Sequence, residues 1–322
     1  MYGVRTKIPL KEGSKAVCIK NHRLFPMHWD IINEKVEQLL RDGIIQHSVS
    51  EWSSPVFLVD KKSSEQSVAK WRMVHDYRKL NSMTKQDAYP LPIIEDILDQ
   101  LGKNKYFTTM DLESGYHQVL ISKEDRSKTA FRTPYGHFEY IRMPFGLTAA
   151  PATFQRMMNQ ILYGLQGKIC LVYLDDIIIY GKTLEEHNQR LEDVLERLAR
   201  HNLKVKLSKC QFLKKKLSFL GHTITSNGVL PGVEKIEAVL NFPPPKNVKK
   251  VQSFLGLANY YRKFILNFAE KAEPIINLTR KETQFQWSNS CERAFEILKK
   301  ALTSAPVLIF PDYADEFLLT TD

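Results

Sequence analysis

The sequence predicts an α+β fold. Strand-like and helical segments alternate irregularly, without the steady β-α-β succession of a doubly wound sheet. Strand candidates come as adjacent pairs joined by polar or glycine-containing turns, the mark of antiparallel hairpins. Beyond the triple proline Pro243-Pro244-Pro245 the pattern turns helical, so that segment marks a subdomain hinge.

The elements follow in order. Ile32, Val36, Leu39 and Leu40 share one face of a helix from about Trp29 to Arg41, with Gly43 as its stop. Strands at Pro55–Val59 and Trp71–Tyr77 flank a Ser- and Lys-rich loop, which reads as a long hairpin with a mobile tip. A helix over Ile93–Leu101 follows Pro92 and ends at Gly102. Next comes the strand Tyr106–Met110, which ends on Asp111, and then a hairpin over 129–143 turning at Tyr135-Gly136. A helix behind Pro151 carries Phe154, Met157, Met158, Ile161 and Leu162. Thr183-Leu184-Glu185-Glu186 is a capping box opening another helix. Leu203–Leu207 alternates apolar and basic residues as a half-buried strand does. A strand pair surrounds Phe219 and Ile224, residues 248–264 and 290–302 are helical, and Phe317–Thr321 is a last strand.

The 322 residues are 43% apolar and 25% charged, which excludes a disordered chain and supplies one large core or two. The net charge of +10 suits a polyanionic partner such as nucleic acid, and equally a merely soluble basic protein. Cys18, Cys170, Cys210 and Cys291 have no zinc-site spacing and read as free core thiols of an intracellular protein. The N-terminus lacks the apolar stretch of a signal peptide, and no apolar run approaches the ~20 residues of a membrane span.

One stretch breaks the physical rules. Residues 171–181 read LVYLDDIIIYG, a buried strand with two aspartates at its middle. Burying one unpaired carboxylate is expensive, and two side by side repel. The apolar halves are each a strand long, so a hairpin with Asp175 and Asp176 at or near its turn is the economical solution. A plain turn is the simpler reading, but Asp-Asp is poor two-residue turn chemistry. Close carboxylates call for a hard cation, Mg2+ or Mn2+. If the strand ending on Asp111 lies beside the hairpin, three carboxylates could hold two such ions for in-line phosphoryl transfer. Asp111 also suits an N-cap.

Six segments, in order, resemble reverse transcriptases of gypsy-type long-terminal-repeat retrotransposons. Tyr173-Leu174-Asp175-Asp176 resembles the Y-x-D-D box. Residues 108–118 (TTMDLESGYHQ) and 142–155 (RMPFGLTAAPATFQ) resemble two palm motifs, and 70–81 (KWRMVHDYRKLN) the fingers strand. Phe219-Leu220-Gly221-His222 resembles the primer grip, and 254–264 (FLGLANYYRKF) the thumb segment.

The resemblance implies a right hand of fingers, palm and thumb with an antiparallel palm sheet. Residues 1–225 would form fingers and palm, with the core at about 55–225. Residues 226–305 would form a mostly helical thumb, and 306–322 the first strand of a truncated ribonuclease H domain ending on Asp322. It implies RNA-directed DNA polymerase activity, with Asp111 and Asp175 as main ligands of two Mg2+ ions, Mn2+ as a substitute, and Asp176 in support. Lys61 and Arg72 would clamp the incoming triphosphate, although Lys61 also reads as a solvated loop charge. Tyr116 would exclude a ribose 2′-OH, or simply be a core aromatic, and Phe145 would shape the same pocket. Leu174, Phe219, Leu220 and Gly221 would hold the primer end. Lys204, Lys206, Lys209 and Lys214–Lys216 would track the duplex, unless they are a solvated face.

The implied partners are RNA and DNA template–primers, deoxynucleoside triphosphates and further Pol polyprotein domains (ribonuclease H, integrase, protease), with no membrane. The implied location is cytoplasmic, or inside a virus-like particle. The usual Asn of the third motif is replaced by Thr148-Ala149-Ala150, which puts capping of the next helix in doubt. Because the chain stops at Asp322, ribonuclease H cleavage is not expected of it; the expectation is a fragment of a longer Pol polyprotein or a truncated genomic copy. Two other readings stand beside the polymerase: an inert or domesticated relic that binds nucleic acid, and an RNA-dependent RNA polymerase, against which Tyr116 speaks.

Overall fold

The computed structural model describes residues 5–21, 23–61, 70–281, 283–304, 306 and 308–310, without the side chains of Lys61 and Lys70. Its centre is a four-stranded antiparallel sheet in the order Gln211–Lys214, Tyr106–Asp111, Asp176–Gly181, Cys170–Tyr173. The run of Ile177, Ile178 and Ile179 shows no alternation because both faces of its strand are covered. Ile177 and Ile179 join one core with Met110, Phe154 and Met158. Ile178 and Tyr180 join a second with Phe107, Phe254 and Phe295. Burying each isoleucine contributes roughly 2–3 kcal/mol, so the sheet is held rigidly from two sides.

The first core carries the N-terminal half. The helix Pro26–Arg41 starts three residues before the expected Trp29, because Pro26 suits the first helical turn; it buries Ile32 and Val36. The expected hairpin is present as Val56–Lys61 paired with Lys70–His75, in register Val56↔His75 to Lys61↔Lys70; residues 62–69 of its tip lie outside the described residues. A three-stranded sheet joins Ile45–His47, Gly136–Tyr140 and Phe131–Thr133. The helix Ala150–Ile161 starts without a side-chain cap at Ala149, as the missing asparagine suggests.

The second core joins the central sheet to the C-terminal half. A meander of Lys216–Phe219, His222–Thr225 and Gly228–Pro231 leads into helices Val233–Leu240, Val248–Tyr260, Phe268–Asn277 and Asn289–Thr303. The boundary expected after residue 225 falls in the turn between two paired strands of this meander. We place the start of the helical unit at Val233 instead.

Three expectations need correction. Leu203–Leu207 is not a strand: only Val205 bridges, to Leu112, and a tight turn of helix at Leu207–Lys209 follows. The edge strand is Gln211–Lys214. A short helix, Arg78–Met83, stands where none was expected; Asp76 Oδ1 accepts from the Arg78 backbone N–H at its start (3.1 Å). Cys18 is exposed, whereas Cys170 and Cys291 are buried and Cys210 is half-buried. The expected strand Phe317–Thr321 and Asp322 lie outside the described residues. Among the described residues no helix is long and apolar enough to cross a membrane.

Candidate active site

The stretch LVYLDDIIIYG folds as the expected hairpin, with its turn one residue earlier than two aspartates at the tip would require. Asp176 pairs with Tyr173, so Leu174 and Asp175 are the turn and Asp176 already begins a strand. Leu174 has φ = 56°, a left-handed conformation that costs an L-residue roughly 1–2 kcal/mol and normally falls to glycine in such hairpins. Backbone strain of this kind marks positions held by their surroundings for function.

Asp176 stands directly opposite Asp111 across the sheet, so the two carboxylates share one face. Asp175 lies at the turn beside Gly115, where a Cβ added to that glycine would come within 3.4 Å of Asp175 Cβ and 3.0 Å of the Phe154 ring. Burial first, then the neighbouring charges of Asp175 and Asp111, push the Asp176 carboxyl up to about 6, with Lys209 opposing the rise. Lys209 is brought in by the turn Leu207–Lys209, and its Nζ donates to Asp111 Oδ2 at 2.9 Å. The backbone holds this corner too: Lys206 N–H donates to Asp111 C=O at 2.8 Å.

The donor chemistry fits a hard dication. Two carboxylates face each other and a third is adjacent in sequence, an all-oxygen donor set of concentrated negative charge. As the side chains stand, no three Asp, Glu, His or Cys groups among the described residues converge closely enough to hold an ion. Asp111 is instead engaged by the Lys209 ammonium.

A cleft of about 450 Å3 opens on Asp111 and Asp176 and is walled by Lys209, Phe219 and Leu220. The structure thus joins the expected primer residues to the acids. Leu220 and Gly221 form a two-residue turn with φ of 46° and 71°, the signature that type I′ hairpins require. Leu220 C=O accepts from Tyr260 Oη at 2.8 Å, and Gly221 C=O from Tyr261 Oη at 2.5 Å and Gly232 N–H at 2.9 Å. The Leu220-Gly221 turn is therefore tied to the helix Val248–Tyr260 and the residue after it.

On the other side of Asp175, Tyr116 sits in the turn Gly115–Gln118, entered through left-handed Ser114 (φ = 49°). Its ring packs 5.0 Å from Phe145 and edge-on, 5.3 Å, to Phe154. Burial, then Asp175 and Tyr173, push its hydroxyl up to about 12, so it stays neutral. Phe145 is 54% exposed, a large ring open to a ligand. Arg72 is exposed on the separate hairpin strand Lys70–His75, opposite Val59. Lys61 ends the partner strand, and its side chain lies outside the described part. Lys204, Lys209 and Lys214–Lys216 are exposed, while Lys206 is half-buried.

Three bracing amides escaped the sequence reading, though each lies in a quoted motif. Asn81 donates to Gly146 C=O (2.8 Å) and accepts from Thr148 N–H (2.9 Å), fixing the loop behind Phe145. Gln118 ties the Asp111 segment to residue 204 through Glu113 C=O (2.8 Å), Lys204 C=O (2.9 Å) and Lys204 N–H (2.8 Å). Gln155, fully buried, accepts from the strained Leu174 N–H. Nothing short of the fold reveals such contacts, because an amide carries no periodic or charge signal.

Three acids, an adjoining aromatic pocket and a tyrosine-braced turn thus gather at one end of the central sheet. The family model described as "Reverse transcriptase (RNA-dependent DNA polymerase)" matches residues 59–224, just over half of the chain, and the chain belongs to that family. It is 46% identical over 304 residues to the "Retrovirus-related Pol polyprotein from transposon 297" of Drosophila melanogaster, covering 94% of this chain and 29% of that relative. It is 37% identical over 320 residues to the "Transposon Tf2-3 polyprotein" of Schizosaccharomyces pombe, covering 99% and 24%. The chain thus spans less than a third of the length of these curated relatives. Among solved structures, the foamy viral protease-reverse transcriptase dRH in complex with double-stranded DNA matches with TM-score 0.85 and 29% identity, over 95% of this chain and 54% of that one. The foamy viral protease-reverse transcriptase in complex with an RNA/DNA hybrid matches with TM-score 0.81 and 28% identity, over 94% and 40%. The fold is therefore that of a retroviral-type polymerase, and membership of the family implies dependence on a divalent metal ion.

Proposed function

We propose that this chain is the polymerase core of a retrotransposon Pol polyprotein, an RNA-directed DNA polymerase that adds deoxynucleotides to a primer 3′-OH. The observation that carries this reading is the facing pair Asp111 and Asp176 with Asp175 on the adjoining turn, at the mouth of a cleft shared with the primer-grip turn. Asp111, Asp175 and Asp176 would hold two Mg2+ ions, with Asp111 leaving Lys209 to do so. The ions would lower the pKa of the primer hydroxyl and neutralise charge on the triphosphate and the departing pyrophosphate.

The remaining chemistry is positioning. Leu220 and Gly221, with Phe219, would hold the primer end against the cleft, and Leu174 would lie beneath it. Tyr116 and Phe145 would line the sugar pocket, where the Tyr116 ring leaves no room for a 2′-OH. Arg72 and Lys61 would approach the triphosphate as the fingers hairpin closes. The exposed lysines would contact template–primer phosphates without reading sequence. Template–primer and deoxynucleotides are the proposed partners, with further Pol domains beside them.

The test is Mg2+-dependent dTTP incorporation on poly(rA)/oligo(dT) by the chain and by Asp175→Asn. Incorporation by the former alone is expected. Equal incorporation by both would remove the metal assignment, and none by either would favour an inert nucleic-acid-binding relic.

A further inference from the structure

The turn that carries Asp175 is held from behind by a buried amide. Gln155 lies on the helix Ala150–Ile161 and is fully buried. Its Oε1 accepts the Leu174 N–H at 2.7 Å. In a two-residue hairpin that N–H belongs to no ladder bond, so it needs a partner elsewhere. The amide's other end is also engaged, with Nε2 donating to Asn159 Oδ1 at 2.8 Å and, at 3.3 Å, to Val172 C=O. Asn159 in turn donates to Tyr89 Oη at 2.6 Å. On the same helix Arg156 pairs with Asp87 at 2.6 Å and lies 4.7 Å over the Tyr89 ring.

Gln155 thus cannot rotate without breaking bonds on both sides, and its oxygen grips the one residue of the turn in left-handed backbone. Leucine has no intrinsic preference for that conformation. Without the grip, the turn is free to relax and Asp175 to swing from its place beside Gly115. We propose that Gln155 is a positioning residue, clamping the Leu174 backbone so that the Asp175 carboxylate is held for nucleotidyl transfer. This rests on the polymerase reading above.

The test uses the whole chain on a primer–template in single-nucleotide turnover. Gln155→Met keeps length and apolar bulk but loses all three bonds. Its kcat is expected to fall about 10- to 100-fold, with the KM for dNTP and the template–primer Kd within about threefold of the parent, since a misplaced acid slows chemistry rather than binding. Gln155→Glu keeps an accepting oxygen and should recover part of that loss. In a Leu174→Gly background, where left-handed backbone is unstrained, the same Gln155→Met change should cost less than about threefold. An unchanged kcat in Gln155→Met, or an equal loss in both backgrounds, would overturn the clamp.

Hydrogen exchange at the Leu174 amide decides the geometry whether or not the variants fold and whether or not the chain polymerises. Slow exchange in the unmodified chain is expected, and fast exchange overturns the proposal. A parent chain that incorporates nothing while Leu174 stays protected would instead sink the polymerase reading and leave the clamp supported.

Discussion

The Lys209 ammonium stands 2.9 Å from Asp111 Oδ2, on the face where Asp176 lies opposite Asp111. A cation already rests where carboxylates would take a metal. The pair is 58% exposed on the lysine side, so it contributes at most about 1 kcal/mol to stability. Its effect on a dication is of similar size and opposite sign. Lys209→Met is therefore expected to tighten Mn2+ binding to the nucleic-acid-free chain about 3- to 10-fold, read by paramagnetic resonance of free Mn2+. Weaker binding would show that Lys209 helps the metal rather than holding its place.

Tyr116 is wedged between Phe145 and Phe154 next to Asp175, so its ring has little freedom to yield to a bulkier sugar. Tyr116→Ala should raise ribonucleotide incorporation relative to deoxynucleotide by about 10- to 100-fold, the range that a steric pocket commands. Competing rUTP and dTTP on an oligo(dA) template measures it. An unchanged ratio would make Tyr116 a packing residue only.

Acid should loosen the fold through two histidines, His75 buried and His117 half-buried. His75 Nε2 lies 2.8 Å from Tyr140 Oη, and its ring stacks on Tyr77 and touches Phe131. Burial, then nearby His117, lowers its pKa to about 3. Burial, then Arg142, lowers His117 to about 4. Unfolded, both titrate near 6.5, so the unfolded chain binds more protons below that value. Their stabilisation is complete above pH 6.5 and is lost as pH falls toward the folded values, by on the order of 2 kcal/mol each at pH 5. Melting temperatures from pH 7.5 to 5 should decline, and less steeply in His75→Phe. An identical slope in that variant would remove His75 from the account.

The reach of the sequence differs from element to element. The hairpin at 170–181 was legible because two apolar strands must bury their faces and the aspartates cannot follow them in. The helix from Leu184 was legible from its cap, and Thr183 Oγ1 does accept the Glu186 N–H at 3.2 Å. Leu203–Leu207 misled because alternation records which residues face the core, not whether a neighbour supplies a full ladder; only Val205 finds one bridge there. Arg78–Met83 is too short to show a helical period, and its starting contact comes from Asp76. The three acids were legible in kind but not in arrangement. Register, which pairs Asp176 rather than Asp175 with Asp111, is set by the strands' packing and by a strained Leu174.

The central claim is that Asp111, Asp175 and Asp176 form one reaction centre. Single-turnover extension of a primer by one deoxynucleotide, compared between the parent chain and Asp111→Asn, tests it most directly. The account predicts a rate loss of at least about a thousandfold, roughly 4 kcal/mol of lost transition-state stabilisation, with template–primer affinity and melting temperature little changed. An Asp111→Asn chain that extends the primer at the parent's rate would contradict it.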